Sequence, residues 1–248
     1  MFHQLSQLVQ SEFRLRYQGS ILGYFWTLIK PLLLFGVIYI VFSVFLASTI
    51  NNYAVYLLLG IIFWNFFSEA TSTGLQVLLN NRELISKLNF PRENLVFATN
   101  ISAFITLLLN LIVFAIFYFA SGFHPNFDQF LFFFYLILFA VFTCGISLVL
   151  SILFIRFHDL KHIWEVVLQV LFWLTPIIYD PLIVPQSYRS FLSLNPIAKV
   201  LSYSRNLLFI NQLPNPIKLS LFTLACLAIF AIGYYIFKKY SNQIAELI

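Results

Sequence analysis

Within the apolar run from Tyr53 to Leu79, Asn65, Glu69, Ser72 and Gln76 recur at i, i+4, i+7 and i+11. On a helix that spacing puts all four on one face. An ionised carboxylate turned to lipid costs about 2.5–3.5 kcal/mol, so this face must look at protein or at water. Two readings follow: the lining of a pore or dimer axis, or a polar seam between two helices of one subunit. Cations gather elsewhere, with Arg14 and Arg16 just before Gly19 and Lys30 beside Pro31. His158 and His162, at i and i+4 around Asp159, are spaced like metal ligands. A lone histidine pair in a cationic loop is a weak signal, and no metal is expected. No Gly-x-x-x-x-Gly-Lys-Ser/Thr loop occurs, so the chain does not hold ATP in that manner. No catalytic residues are expected.

These groups sit in a chain that is 61% apolar and 9% charged over 248 residues. Soluble domains carry about 25% charged residues, so an integral membrane protein is expected. Its apolar runs reach the roughly 20 residues of a membrane-spanning helix and lack the alternation of an outer-membrane barrel. The fold class is an all-α membrane protein with six transmembrane helices, and residues 1–248 form a single transmembrane domain. Residues 2–18 place Phe2, Leu5, Leu8, Val9 and Phe13 at helical spacing and read as an N-terminal interfacial amphipathic helix. The expected spans are Ile21–Ile50, Tyr53–Leu79, Glu93–Ala120, Phe130–Ile155, Ile163–Tyr179 and a last one from Pro216 to Phe237. Pro31 is placed to bend the first, and Ala140, Cys144, Ser147 and Ser151 form a small-residue stripe on the fourth.

Two segments fit no span. Residues 80–92 are too polar for the bilayer but carry a short helical pattern in Leu84, Ile85 and Leu88. Residues 180–215 are broken by Pro181, Pro185, Pro196 and Pro214 and read as short re-entrant or interfacial helices between spans five and six. Asn195 before Pro196 is a helix-cap signal. With both termini inside, the cytoplasmic segments hold nine Lys and Arg and the far side four, Arg189, Lys199, Arg205 and Lys218, as the positive-inside rule requires. Cys144 and Cys226 fall inside spans, where a small packing role is expected and a disulfide is not. The start lacks the pattern of a cleaved signal peptide and is expected to stay attached. Aromatics reach 19%. Most suit lipid contact or interface anchoring, while Tyr39 and Trp173 can line a channel and offer sugar C–H groups an apolar face.

The stretch Glu12–Trp26 (EFRLRYQGSILGYFW) followed by Pro31 resembles the entrance of ABC-2 type membrane subunits that export polysaccharides. Arg156-Phe-His-Asp159, Thr175-Pro-Ile-Ile-Tyr179, Val184-Pro185 and Leu194-Asn-Pro196 follow in that family's order, so the resemblance covers essentially the whole chain. His158 departs from it, since relatives more often carry arginine there. The resemblance implies a homodimer of six-helix subunits in the bacterial inner membrane, both termini cytoplasmic. It implies two copies of a separate ABC ATPase that holds ATP and Mg, with no cofactor in this chain. ATPase coupling would fall to a helix at 80–92, with Arg82, Glu83, Lys87 and Arg92, and to Arg156, His158 and Asp159. Residues 180–215 would form an external gate. The implied cargo is an undecaprenyl-pyrophosphate-linked glycan such as O-antigen, capsule or teichoic acid, and no nucleic acid. Arg14, Arg16, Tyr17 and Lys30 then become the expected substrate entrance, because guanidinium forks pair well with phosphate oxygens. Plain positive-inside anchoring is the alternative for these cations. Two other functions fit the composition: an ABC-2 exporter of small hydrophobic compounds, and a membrane-embedded glycan-lipid transferase. The transferase would need an acid or histidine cluster at one membrane face, and only His158, Asp159 and His162 come near.

Overall fold

The computed structural model describes residues 6–11, 23–45, 50–87 and 91–241. Arg14, Arg16 and Tyr17 lie outside the described residues. Those described are mostly helical and contain no strand. The helices are α1 (Trp26–Tyr39), α2 (Tyr53–Asn80), α3 (Arg82–Lys87), α4 (Glu93–Ala120), α5 (Leu131–Arg156), α6 (Leu160–Leu174), α7 (Gln186–Leu194), α8 (Pro196–Ile210) and α9 (Pro216–Ser241). α1 runs on through a wider π turn over Ile40–Phe45. Five of these helices are long and apolar enough to cross a membrane: α1 with its extension, α2, α4, α5 and α9. The chain is a multi-pass membrane protein.

The fifth apolar run ends sooner than its composition suggests. Pro176 has no N–H and disfavours helical geometry at the residue before it, and Thr175 is extended, with ψ at 132°. The helix is therefore α6, 15 residues or about 22 Å long, short of the roughly 30 Å hydrocarbon core. Residues 175–179 continue as irregular backbone.

α2 is the axis of the bundle. Most of its apolar side chains are buried between α4, α5 and α1, and it starts cleanly because Asn52 takes the left-handed conformation, φ 51°, which asparagine tolerates. Close approach to α2 depends on small groups. The Ser147 hydroxyl, within the expected stripe on α5, has three acceptors in reach, the Thr143 carbonyl at 3.0 Å and the Ala70 carbonyl and Asn100 Oδ1 each at 3.3 Å, so α2, α4 and α5 meet at one hydroxyl. α5 and α9 cross at Gly145 and Gly233, where a Cβ on Gly233 would overlap the Gly145 backbone. Both cysteines are buried and free.

Apolar packing separates into a main core and two smaller clusters, the larger of which lies at one end of the bundle. That cluster joins Leu8 from residues 6–11, Ile85 of α3, Leu95 of α4, Ile152 of α5 and Phe237 of α9. This is the proximal end; the distal end carries α7, α8 and the 121–130 connection. α8 is not a loose surface helix. Ile197, Val200, Leu201, Ser204 and Leu208, which share one face at helical spacing, are all buried, as is Arg205. Asn195 caps α8 by accepting the Ile197 and Ala198 N–H groups, and Asn215 caps α9 the same way.

A polar groove in the membrane bundle

The groove begins with a proline. Pro31 lies inside α1, so the Thr27 carbonyl four residues back loses its helical donor. Asn110 on α4 supplies one, its Nδ2 lying 3.2 Å from that oxygen while also donating to Thr106 at 2.8 Å. The bond holds the first turns of α1 against α4. Over this joint lies a hollow of about 550 Å³ lined by Trp26, Thr27 and Lys30 of α1, Asn65, Ser68, Glu69, Ser72 and Thr73 of α2, and Thr106 and Asn110 of α4. A second hollow of about 550 Å³ lies between α2 and α6, with Glu165, Gln169, Phe172 and Trp173 on its α6 side. The two share Leu34, Asn65, Ser68 and Ser72, so they adjoin along the polar face of α2.

Lys30, Asn65, Glu69, Ser72 and Trp173 are thus brought around one groove. Gln76 folds back along its own helix, donating to the Ser72 carbonyl at 3.3 Å. Tyr39 lies in another structure, an aromatic row Phe35–Tyr39–Tyr53–Tyr56 with centroids 5.6, 6.3 and 6.4 Å apart. Trp173 is 63% exposed, which excludes it from the core. Ser68, Glu165 and Gln169 also line the groove. Their signal was present in sequence: Glu165 and Gln169 stand at i and i+4 on an apolar run, and Ser68 three residues after Asn65. Trp164 fixes α6 to α2 by donating its indole N–H to Thr71 Oγ1 at 3.1 Å.

At the distal end the row of rings stops at Arg205, whose guanidinium lies 3.3 Å from the Tyr56 centroid. Arg205 is 5% exposed and donates to the carbonyls of Pro176 at 2.5 Å, Ile177 at 2.9 Å and Tyr56 at 2.9 Å. Tyr53 and Tyr56 donate to the next two carbonyls, Ile178 at 3.0 Å and Tyr179 at 2.9 Å. Four successive carbonyls of the unwound segment after α6 are therefore satisfied by side chains of α2 and α8. Gly60 leaves room for this: a Cβ there would sit 2.8 Å from an Arg205 nitrogen and 3.2 Å from the Ile177 oxygen.

At the proximal end Arg82 and Glu83 are exposed on α3, which Lys87 closes. Arg92 donates to the Ser241 carbonyl, and Lys238 of α9 pairs with Glu93 of α4. Arg156 ends α5, His158 rests 5.8 Å from the Phe154 ring, and Asp159 is exposed just before α6.

The model of the family described as ABC-2 type transporter matches residues 3–209. The chain belongs to that family. Among its ABC-2 relatives, an O-antigen export system permease protein RfbA of Klebsiella pneumoniae is 27% identical across 100% of this chain and 96% of its own length. The RfbA protein of the same description from Myxococcus xanthus is 29% identical over 98% of this chain and 95% of its own. The polysialic acid transport protein KpsM of Escherichia coli is 22% identical over 92% of this chain and 89% of its own. An ABC-2 transporter subunit is a membrane component of transport, and the groove is where this one carries polar groups through its apolar belt.

Proposed function

We propose that this chain is the membrane subunit of an ATP-driven exporter that moves an undecaprenyl-linked polysaccharide, O-antigen first among the candidates, out of the cytoplasm. The observation that carries this is the polar groove: Asn65, Ser68, Glu69 and Ser72 face open volume between α1, α4 and α6 rather than being zipped against one neighbour. Hydroxyl, amide and carboxylate groups beside Trp173 suit a glycan, which presents hydroxyls on its edges and C–H groups on its faces. The names of the full-length relatives point the same way.

In this reading two copies of the chain form the exporter, in the inner membrane, with two ABC ATPase subunits that bind ATP and Mg. The proximal end is cytoplasmic with both termini, and six crossings result when α6 and the segment after it together traverse the bilayer. Residues 2–18 lie at the cytoplasmic interface. Residues 80–92 and 156–159 meet the ATPase through Arg82, Glu83, Lys87, Arg92, Arg156, His158 and Asp159, and residues 180–215 gate the outer side. Arg14, Arg16, Tyr17 and Lys30 admit the pyrophosphate end of the lipid, because planar guanidinium groups bind phosphate oxygens bidentately. Asn65, Glu69, Ser72 and Trp173 line the path within the groove, with Gln76 one turn further along α2 and Tyr39 in the aromatic row beyond it.

Depleting the protein should leave glycan-lipid on the cytoplasmic side, detected by its accessibility in inside-out vesicles. Replacing Arg14 and Arg16 together by glutamine should block export while insertion and ATPase assembly persist. Normal export after depletion would refute the transport role. Failure of insertion alone in the double variant would return the two arginines to simple anchoring.

A further inference from the structure

At the distal end, the connection from α8 to α9 closes a hollow of about 270 Å³ lined by Tyr203 and Asn206 of α8, Gln212, Pro214 and Asn215 of the connection, and Lys218 of α9. Its walls are fixed locally. Asn211 takes the left-handed conformation, φ 54°, which asparagine tolerates, so the chain turns back and the Gln212 N–H donates to the Asn206 carbonyl at 3.0 Å. Gln129 holds the turn by donating to Asn211 Oδ1 at 2.9 Å. Asn215 takes the Ile217 and Lys218 N–H groups, so the start of α9 is capped by the chain itself and the hollow is left to side chains. Those of Tyr203, Asn206, Gln212 and Lys218 have no hydrogen-bond or ion-pair partner among the described residues.

No acid of the chain answers Lys218. Of the nine acidic residues, Asp128 and Asp180 are at the distal end, and neither lines the hollow. Glu69 and Glu165 line the groove, and Glu83, Glu93 and Asp159 belong to the proximal end. Glu12 and Glu246 lie outside the described residues, but chain length keeps them away. Glu246 follows Ser241 by five positions, a reach of about 18 Å, whereas Ser241 stands about 34 Å from Lys218 along α9. Glu12 follows Leu8 by four positions, a reach of about 14 Å. Leu8 packs in one cluster with Phe237, which is about 28 Å along α9 from Lys218.

The surroundings of the hollow are apolar. Ile210, Leu213 and Ile217 are exposed beside it, and Leu221 and Leu224 are exposed one and two turns further along α9. The lipid-facing surface of a helix able to cross the membrane therefore begins at Lys218. Tyrosine favours this boundary, and a lysine at a membrane surface attracts anionic headgroups.

We infer that this hollow binds the phosphate headgroup of an anionic phospholipid from the distal leaflet. Lys218 supplies the charge, and the Asn206 and Gln212 amides and the Tyr203 hydroxyl supply neutral donors to the remaining phosphate oxygens. The acyl chains lie against Ile217, Leu221 and Leu224. That apolar rim favours a lipid over a soluble anion, which gains nothing from it. The inference does not depend on what the protein exports.

The test is photolabelling of the full-length protein in phosphatidylcholine liposomes. The probe is phosphatidylglycerol or phosphatidylcholine with a diazirine on one acyl chain, and adducts are mapped by peptide mass spectrometry. In the wild type the phosphatidylglycerol probe should label residues 213–224 in preference to the phosphatidylcholine probe, a comparison that needs no substitution. K218Q should lower that labelling at least about fivefold, the effect of about one lost cation at a lipid surface, while labelling of α4 stays unchanged. K218R keeps the charge and should keep the preference. N206L/Q212L keeps Lys218 but removes two donors, and it should also lower the labelling. Inorganic phosphate should not displace the probe, because it lacks the chains that hold a headgroup at this depth. Equal labelling by the two probes overturns the inference, as does unchanged labelling in K218Q or displacement by phosphate. Unchanged labelling in N206L/Q212L overturns it as well, since a bare surface lysine would then account for the whole effect.

Discussion

Asn110 and Pro31 form a single unit although 79 positions separate them. Proline removes one N–H from α1, and the amide of Asn110 replaces it at the Thr27 carbonyl. Thr27 is 5% exposed at the edge of the groove, so the oriented amide rather than groove water serves that oxygen. Replacing Asn110 by leucine, similar in size but without a donor, removes that bond, and losing one partner of a buried hydrogen bond costs about 1–3 kcal/mol. N110L should therefore lower the protein's resistance to unfolding, measured by denaturant titration in mixed micelles. The double variant P31A/N110L separates causes, because alanine at position 31 restores the helical N–H to Thr27. If the carbonyl is the reason for the loss, N110L should cost distinctly less in the P31A background. Equal costs in both would locate the loss in Asn110's other bond, to Thr106. Sequence showed Pro31 as a bend and Asn110 as one polar residue on a span. Nothing in the local pattern of either predicts that they meet.

Among the elements, α8 and the unwound segment after α6 behave as one piece with the start of α2. Arg205 and Tyr56 make the joint, and both partners are positioned by helices whose pattern was legible. The Asn195–Pro196 cap that starts α8 and the apolar run that forms α2 could both be read from residue type and spacing. The inward turn of Arg205 could not, because the carbonyls that need it belong to residues 28 and 29 positions away. They become free only because Pro176 ends α6 early, and the rule for residues before proline locates that break at Thr175. Lysine cannot copy a fork that serves Pro176, Ile177 and Tyr56 together. R205K should lower thermal stability and expose residues 175–185 to proteolysis or hydrogen exchange, while α4 and α5 remain protected. G60A should reproduce the phenotype with Arg205 still present, since a methyl group there meets the guanidinium. Uniform loss of protection across the bundle in either variant would contradict a local joint.

For the whole molecule the question is whether α2's polar face is wet. The sequence left both a pore or dimer-axis lining and an interhelical seam open, because a helical face records which residues point together and not what they point at. The fold places α1, α4 and α6 around that face with volume left between them. Arrangement in space carries this distinction, and it depends on long-range packing such as the Trp164–Thr71 bond and the proline break that keeps α6 short. A wet groove differs chemically from a lipid-facing surface, since a thiol ionises and reacts with a maleimide only where water reaches it. Ser68→Cys and Gln169→Cys should react with a membrane-impermeant maleimide in vesicles, at a rate at least about tenfold above that of Ile112→Cys. Ile112 is exposed on α4 in its apolar middle, so its thiol would face acyl chains. The native Cys144 and Cys226 are buried and provide an unreactive background. Adding the ATPase with a non-hydrolysable nucleotide should change the rates at positions 68 and 169 together if both line one path. Rates no faster than at position 112 would mean that the α2 face is closed by protein or lipid, and the groove would then be a structural seam.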